Sequence, residues 1–159
     1  MGRDKGHMRL GRRTLLGHVR GLAKSVGLDV RVIRKDIVHR CGPLGGVYTG
    51  LKTSAHDAEL FLSCDMPFLT PALLRHLIRV KPPAFVEAEG SVGFPFILSV
   101  SHFEIVETEI HAGRFSLQNL AKRLKTRRFP LQGPEARQLF NVNTPTDWRE
   151  ARRMLELLL

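Results

Sequence analysis

The feature that most constrains this chain is a repeated change of hydrophobic period. Short apolar or alternating runs at 29–34 (DVRVIR), 58–64 (AELFLSC), 84–88 (AFVEA) and 92–100 (VGFPFILSV) have strand character. Between them lie segments whose apolar residues recur at helical spacing. Residues 12–26 put Leu15, Leu16, Val19, Leu22, Ala23 and Val26 on one face, with Gly27 as a stop. Further helices are expected from about 47 to 54, after Thr70-Pro71, over 102–112, over 116–126 behind Ser116, and over 145–158 behind Thr144. A short last strand is expected at 139–142. Pro95 has no N–H to give a central ladder, so 92–100 reads as an edge strand or hairpin arm. This alternation predicts an α/β layered fold with a mostly parallel sheet. With no repeat, linker or low-complexity stretch, residues 1–159 read as a single domain.

Composition narrows the partners. No apolar run approaches the roughly 20 residues that span a bilayer, and no apolar core follows the basic start MGRDKGHMRLGRR, so a cytoplasmic protein is expected. Cys41 and Cys64 form no CxxC pair, and the seven histidines show no ligand spacing, which argues against zinc. A net charge of +10 suits an anionic partner and equally suits a solvated basic surface. The most basic run, KRLKTRR at 122–128, offers Lys122, Arg123, Lys125, Arg127 and Arg128 to anions or to solvent. With one tyrosine and one tryptophan there is little aromatic surface for base stacking, so the charge does not argue for nucleic acid.

Four stretches carry candidate chemistry. In LFLSCDMPF, Asp65 stands just past the best apolar strand. A carboxylate at that edge of a sheet suits a divalent cation, or bonds to the backbone of its own turn. Asp36 follows another strand-like run and precedes GPLGG, where Gly42, Gly45 and Gly46 enter a helix. Such a loop lets backbone amides approach a phosphate or a base edge, and is otherwise a tight turn. In LFNVNTP, Asn141 and Asn143 are two apart and face the same way in extended chain, although Asn143 or Thr144, with Asp147, also fits a helix cap. Lys5 can neutralise a phosphate or lie in a solvated terminus. No serine, cysteine or histidine set for covalent catalysis is present.

MGRDK, then D-x5-GPLGG, then CDMPF, then FNVNTP, in this order, resemble the MobA-like nucleotidyltransferases, the molybdenum cofactor guanylyltransferases. The resemblance covers essentially the whole chain. It implies a three-layer Rossmann-like fold with a mixed sheet and transfer of GMP from Mg·GTP to molybdopterin, with loss of pyrophosphate. By position it implies Lys5 at the nucleotide phosphates and Asp36 with Gly42, Gly45 and Gly46 at the guanine nucleotide. Asp65 becomes the Mg²⁺ ligand, with Asn141 and Asn143 on the metal and pterin side. Asp65, Asp36, Asn141 and Asn143 are expected to converge on a single cleft at one rim of the sheet. It further implies contacts with molybdoenzymes or cofactor-biosynthesis proteins. A relative using CTP or a sugar phosphate, or an inactive binding protein, stays open at this point.

The family pattern also has a first strand and a glycine-rich loop, LAGG-x-S-x-R, before M-G-x-D-K. This chain starts at that methionine, so the first strand and phosphate loop are expected to be missing, with an upstream start as the favoured explanation. The interval between Val26 and Asp36 is short for the family, leaving DVRVIR to do the work of two strands or one strand absent.

Overall fold

The computed structural model describes residues 5–158; the first four residues of MGRDK lie outside them. In chain order the elements are β1 (Arg9–Leu10), β2 (Arg13–Thr14), α1 (Leu15–Ser25), α2 (Pro43–Lys52), β3 (Ala58–Phe61), α3 (Pro71–Arg79), β4 (Ala84–Ala88), β5 (Ser91–Ser99), α4 (Phe103–His111), α5 (Leu117–Leu124), β6 (Arg127–Pro130), α6 (Gly133–Ala136) and α7 (Pro145–Glu156). The helix starts have local causes. Thr14 and Ser116 accept backbone N–H groups of Gly17 and Gln118 at the heads of α1 and α5. Pro43 and Pro145 sit in first turns, where a missing N–H costs nothing. The second helix begins earlier than expected because Gly42, at φ 51°, turns the chain directly into Pro43. No described helix is long and apolar enough to cross a membrane.

The chain divides into two compact units. One, Arg31–Phe61 and His76–Gln132, holds a four-stranded sheet in the order β3-β5-β4-β6. β5 runs antiparallel to both β3 and β4, and only β6 is parallel to β4. The fold is α/β, and its sheet is mixed, as the resemblance implies, rather than mostly parallel as the alternation of elements predicts. The cause is the two-residue turn between β4 and β5. Glu89 and Gly90 both have positive φ, 51° and 75°, the geometry of a tight hairpin, which can only return the chain antiparallel.

Two further expectations are corrected. β5 is a hairpin arm but lies in the centre of the sheet. Pro95 is tolerated there because the β3 ladder ends at Phe61 opposite Phe96. Against β4 the register jumps, with Phe96 facing Phe85 and Gly93 facing Val86, so that Phe94 and Pro95 stand outside the ladder. The alternating run 29–34 forms no strand. Instead the Arg31 guanidinium donates to Gly50 O (2.7 Å), Thr53 O (2.9 Å), the Thr53 hydroxyl and Glu59 Oε1 (3.1 Å), so a side chain holds this extended stretch to the end of α2 and to β3.

The core of this unit is an aromatic ladder. The rings of Phe85 and Phe96 stack at 4.4 Å, and Phe61 stacks on Phe96 at 5.1 Å. Leu44, Val47 and Leu51 of α2, Val106 of α4 and Leu120 of α5 close over them. Beside this core, the carboxylate of Glu109 is 2% exposed and accepts both arms of Arg114, at 2.8 and 2.7 Å.

The second unit, Met1–Val30, Leu62–Arg75 and Gly133–Leu159, has a separate core. Leu10, Leu15, Val142 and Ala151 are fully buried, with Phe68, Phe140, Trp148 and Leu155 packed around them. The β1–β2 hairpin turns at Gly11, at φ 62°, and His18 Nε2 lies 2.8 Å from Leu10 O. Residues 139–142, expected as a last strand, lie outside any strand. Their one ladder-like bond is Val142 N–H to Asp65 O, at 2.8 Å.

Two outcomes follow from this packing. A Cβ on Gly50 would lie 2.6 Å from Phe61 Cε1 and 3.0 Å from Cζ, and that ring is backed by Phe96. Gly50→Val is therefore expected to cost about 1–3 kcal/mol in urea unfolding, by overpacking. The Glu109 carboxyl is held below its ordinary value of 4.5, chiefly by its hydrogen bonds to Arg114, while burial opposes. That contribution is present above the ordinary value and is lost as pH falls through the lowered one. Arg114→Ala leaves a buried carboxylate unpaired, so its melting-temperature deficit should be largest at pH 7 and shrink at pH 4, as Glu109 takes up a proton.

Candidate active site

Three residue pairs hold the 138–143 stretch alongside the loop that follows β3. Val142 N–H donates to Asp65 O, Phe140 meets Phe68 edge-on with ring centroids 6.3 Å apart, and the Thr70 hydroxyl donates to Gln138 Oε1 at 2.8 Å. Val142 is buried, and the residues on either side of it, Asn141 and Asn143, are exposed. The two-residue spacing thus does present both asparagines outward, next to the Asp65 turn.

Their side chains take different partners. Asn143 Oδ1 accepts from Lys5 Nζ at 2.9 Å, while Asn141 Nδ2 donates to Leu139 O at 3.3 Å. The backbone of Asn143 is tied to α7: its N–H and that of Thr144 donate to Asp147 Oδ2 at 3.0 and 2.7 Å, and Asp147 N–H donates to the Thr144 hydroxyl at 3.1 Å. Thr144 and Asp147 therefore form the capping box, which leaves the Asn143 amide for Lys5. Asp147 is held below its ordinary value, first by the Asn143 N–H, then by Thr144, with Lys5 adding a smaller attraction.

Asp65 is half-buried. Its Oδ1 accepts from the Ser63 hydroxyl at 2.5 Å, and no other bond to its carboxylate is formed among the described residues. One oxygen is thus oriented by a neighbour and the other stays available. No group of three or more histidine, cysteine, aspartate or glutamate side chains suited to a metal occurs among the described residues. A cation here would draw on one carboxylate, amide oxygens, water and its own phosphate ligands, the pattern Mg²⁺ favours.

Asp36 and the glycines form a second group, in the sheet-bearing unit. An ideal Cβ on Gly45 would fall 2.5 Å from Asp36 Oδ2, and one on Gly46 would fall 3.7 Å from Oδ1. The Asp36 carboxylate occupies the room that the missing Gly45 side chain leaves at the head of α2. Ile37 N–H donates to the Thr49 hydroxyl, which donates to Gly45 O, both at 2.9 Å, and this bolts the loop to the helix. The Leu44 and Gly45 N–H groups are already used within the turn, on Cys41 O and Gly42 O.

The model of the MobA-like NTP transferase domain matches residues 1–127. This chain belongs to that family. A curated relative, the molybdenum cofactor guanylyltransferase of Syntrophotalea carbinolica, is 32% identical over 133 residues. That match takes in 77% of this chain and 63% of the relative, so it spans less than two thirds of the relative's length. Among solved structures, the molybdopterin-guanine dinucleotide biosynthesis protein A of Archaeoglobus fulgidus superposes with a TM-score of 0.74 at 18% identity, over 98% of this chain and 92% of that one. A Mycobacterium tuberculosis protein, solved as a complex with manganese, superposes with a TM-score of 0.63 at 19% identity, over 96% and 93%. The two superpositions show the nucleotidyltransferase fold.

Within that family frame, Lys5, Asp65 and the two asparagines fall in one unit, and Asp36, Gly42, Gly45 and Gly46 in the other. Sequence reasoning missed Ser63 as the partner that orients Asp65, and Thr49 as the bolt of the Asp36 loop. The Ser63-x-Asp65 spacing was a usable signal, since a serine two residues before an aspartate reaches its carboxylate in a turn. Thr49 offered none, because its role depends on the Asp36 loop folding back over α2. Removing the cap that fixes Asn143, by Thr144→Val, is expected to cost about 1 kcal/mol in denaturant unfolding.

Proposed function

We propose that this chain transfers GMP from GTP to the phosphate of molybdopterin and releases pyrophosphate. The reading treats residues 1–159 as one MobA-like domain. The observation that carries it is the Lys5–Asn143 pair, set next to a half-buried Asp65 with a free carboxylate oxygen, in a chain of this family.

The transfer asks little covalent work of the protein. An oxygen of the acceptor phosphate forms a bond to the α-phosphorus of GTP. The bond from that phosphorus to the α–β bridging oxygen breaks, and pyrophosphate leaves with that oxygen. Such a displacement needs in-line placement and neutralised charge rather than a protein nucleophile. Lys5 supplies a cation for a phosphate oxygen. The Asn141 and Asn143 amides are assigned to the acceptor side, and Asp36, resting on Gly45, to the guanine nucleotide.

A divalent cation, Mg²⁺ in this reading, fits the donor set around Asp65: one carboxylate oriented by Ser63, with amide oxygens on the neighbouring stretch. The manganese complex of the mycobacterial relative supports a divalent ion in this fold. Bound at Asp65, the ion would polarise phosphoryl oxygens and offset the charge of the leaving pyrophosphate.

Pyrophosphate release with Mg·GTP and molybdopterin tests the reading. Asp65→Asn is expected to slow it about 100-fold or more. Gly45→Ala, which displaces the Asp36 carboxylate, should weaken GTP binding in a thermal-shift titration. Full activity of Asp65→Asn would remove the metal role, and a larger stabilisation by CTP than by GTP would overturn the nucleotide assignment.

A further inference from the structure

The unit that holds Lys5 and Asp65 contains a second concavity that shares no residue with them. It is a half-open concavity of about 360 Å³, lined by Arg9, Gly11, Trp148, Arg152, Leu155 and Glu156. That volume is within the range of small-molecule sites, roughly 300–1,000 Å³. Four of the six residues stand on one face of α7, at helical spacing i, i+4, i+7 and i+8. The β1–β2 hairpin supplies the other two. Trp148 and Leu155 are half-buried against the core around Ala151, so the face that carries them is fixed. Gly11 has φ 62°, which favours glycine, and a Cβ there would lie 2.7 Å from Leu155 Cδ2, so the hairpin backbone closes directly on the leucine.

The charges of this concavity are unspent. On α7, Arg149 donates to the Thr146 hydroxyl and Arg153 pairs with Glu150 at 3.6 Å. Arg152, which faces the concavity, has no hydrogen-bond or ion-pair partner among the described residues, and neither has Arg9. Two free guanidiniums beside one indole and one leucine make a wall that is cationic at one place and flat and apolar at another. Guanidinium forks match phosphate oxygens in pairs, and an indole face takes a planar ring. The single carboxylate, Glu156, disfavours a second anionic group on the same ligand.

We propose that this concavity binds a small aromatic phosphate monoester, with the phosphate on Arg9 and Arg152 and the ring against Trp148. Trp148 is the chain's one tryptophan, so its fluorescence reports the site directly. Phenyl phosphate is the probe, with phenol as ring alone and inorganic phosphate as charge alone. Phenyl phosphate is expected to quench the emission saturably, while phenol and inorganic phosphate bind about tenfold more weakly or worse. The double substitution Arg9→Gln and Arg152→Gln changes two exposed, unpartnered side chains, so the fold is retained. It should weaken phenyl phosphate about tenfold or more. Asp65→Asn should leave the titration unchanged, which separates this site from the transfer reading. Absence of saturable quenching, equal binding of inorganic phosphate, or an unaltered titration in the double variant would each overturn the proposal.

Discussion

One main-chain hydrogen bond, Val142 N–H to Asp65 O, governs the arrangement of candidate residues in its unit. It joins two segments more than seventy positions apart in sequence, neither of which is in a strand at that point. Each would otherwise be a solvated turn. The bond holds because Val142 is fully buried with Leu10 and Leu15, so separating the strands of chain would also expose that side chain. Burial of one residue thereby sets the outward presentation of its neighbours. Asn141 and Asn143 need no interactions of their own to be placed beside Asp65.

The same economy appears at the head of α7. Asp147 caps the helix and, in doing so, takes up the backbone N–H of Asn143. With that N–H used, the Asn143 amide is the group left over, and it receives Lys5. A capping role and the proposed binding role, which look like rivals when the motif is read as a string, fall to different atoms of adjacent residues. The cap ties the Asn143 backbone to the head of α7.

Legibility followed how local each cause was. Helix starts at Thr14, Ser116 and Thr144 were readable because a cap acts within three residues. The β4 and β5 runs were readable from apolar patterning. Strand direction was not: it was decided by Glu89-Gly90, a two-residue turn whose consequence is global. DVRVIR alternates as a strand should, yet a ladder needs a neighbour at the right distance, and the Arg31 fan of hydrogen bonds holds the stretch by a side chain instead. At the candidate site, the ordered motifs pointed to the family whose model matches residues 1–127. What they could not convey was Ser63 and Thr49, whose roles are partnerships across a fold rather than properties of a string.

Glycine at position 45 shows how a motif residue acquires meaning only in three dimensions. In sequence, GPLGG suggested backbone amides held open for a ligand. In the structure the Leu44 and Gly45 amides are spent inside the turn, and the glycine matters for the side chain it lacks, since Asp36 fills that space. An acceptor held against backbone, with no guanidinium or ammonium hydrogen-bonded to it among the described residues, is suited to N–H donors on a neutral ligand, such as those along one edge of a guanine ring. It is poorly suited to a phosphate, which it would repel. Under the proposed function, the geometry at Gly45 suits Asp36 to the base rather than the loop to a phosphate, and leaves the cationic work to other residues.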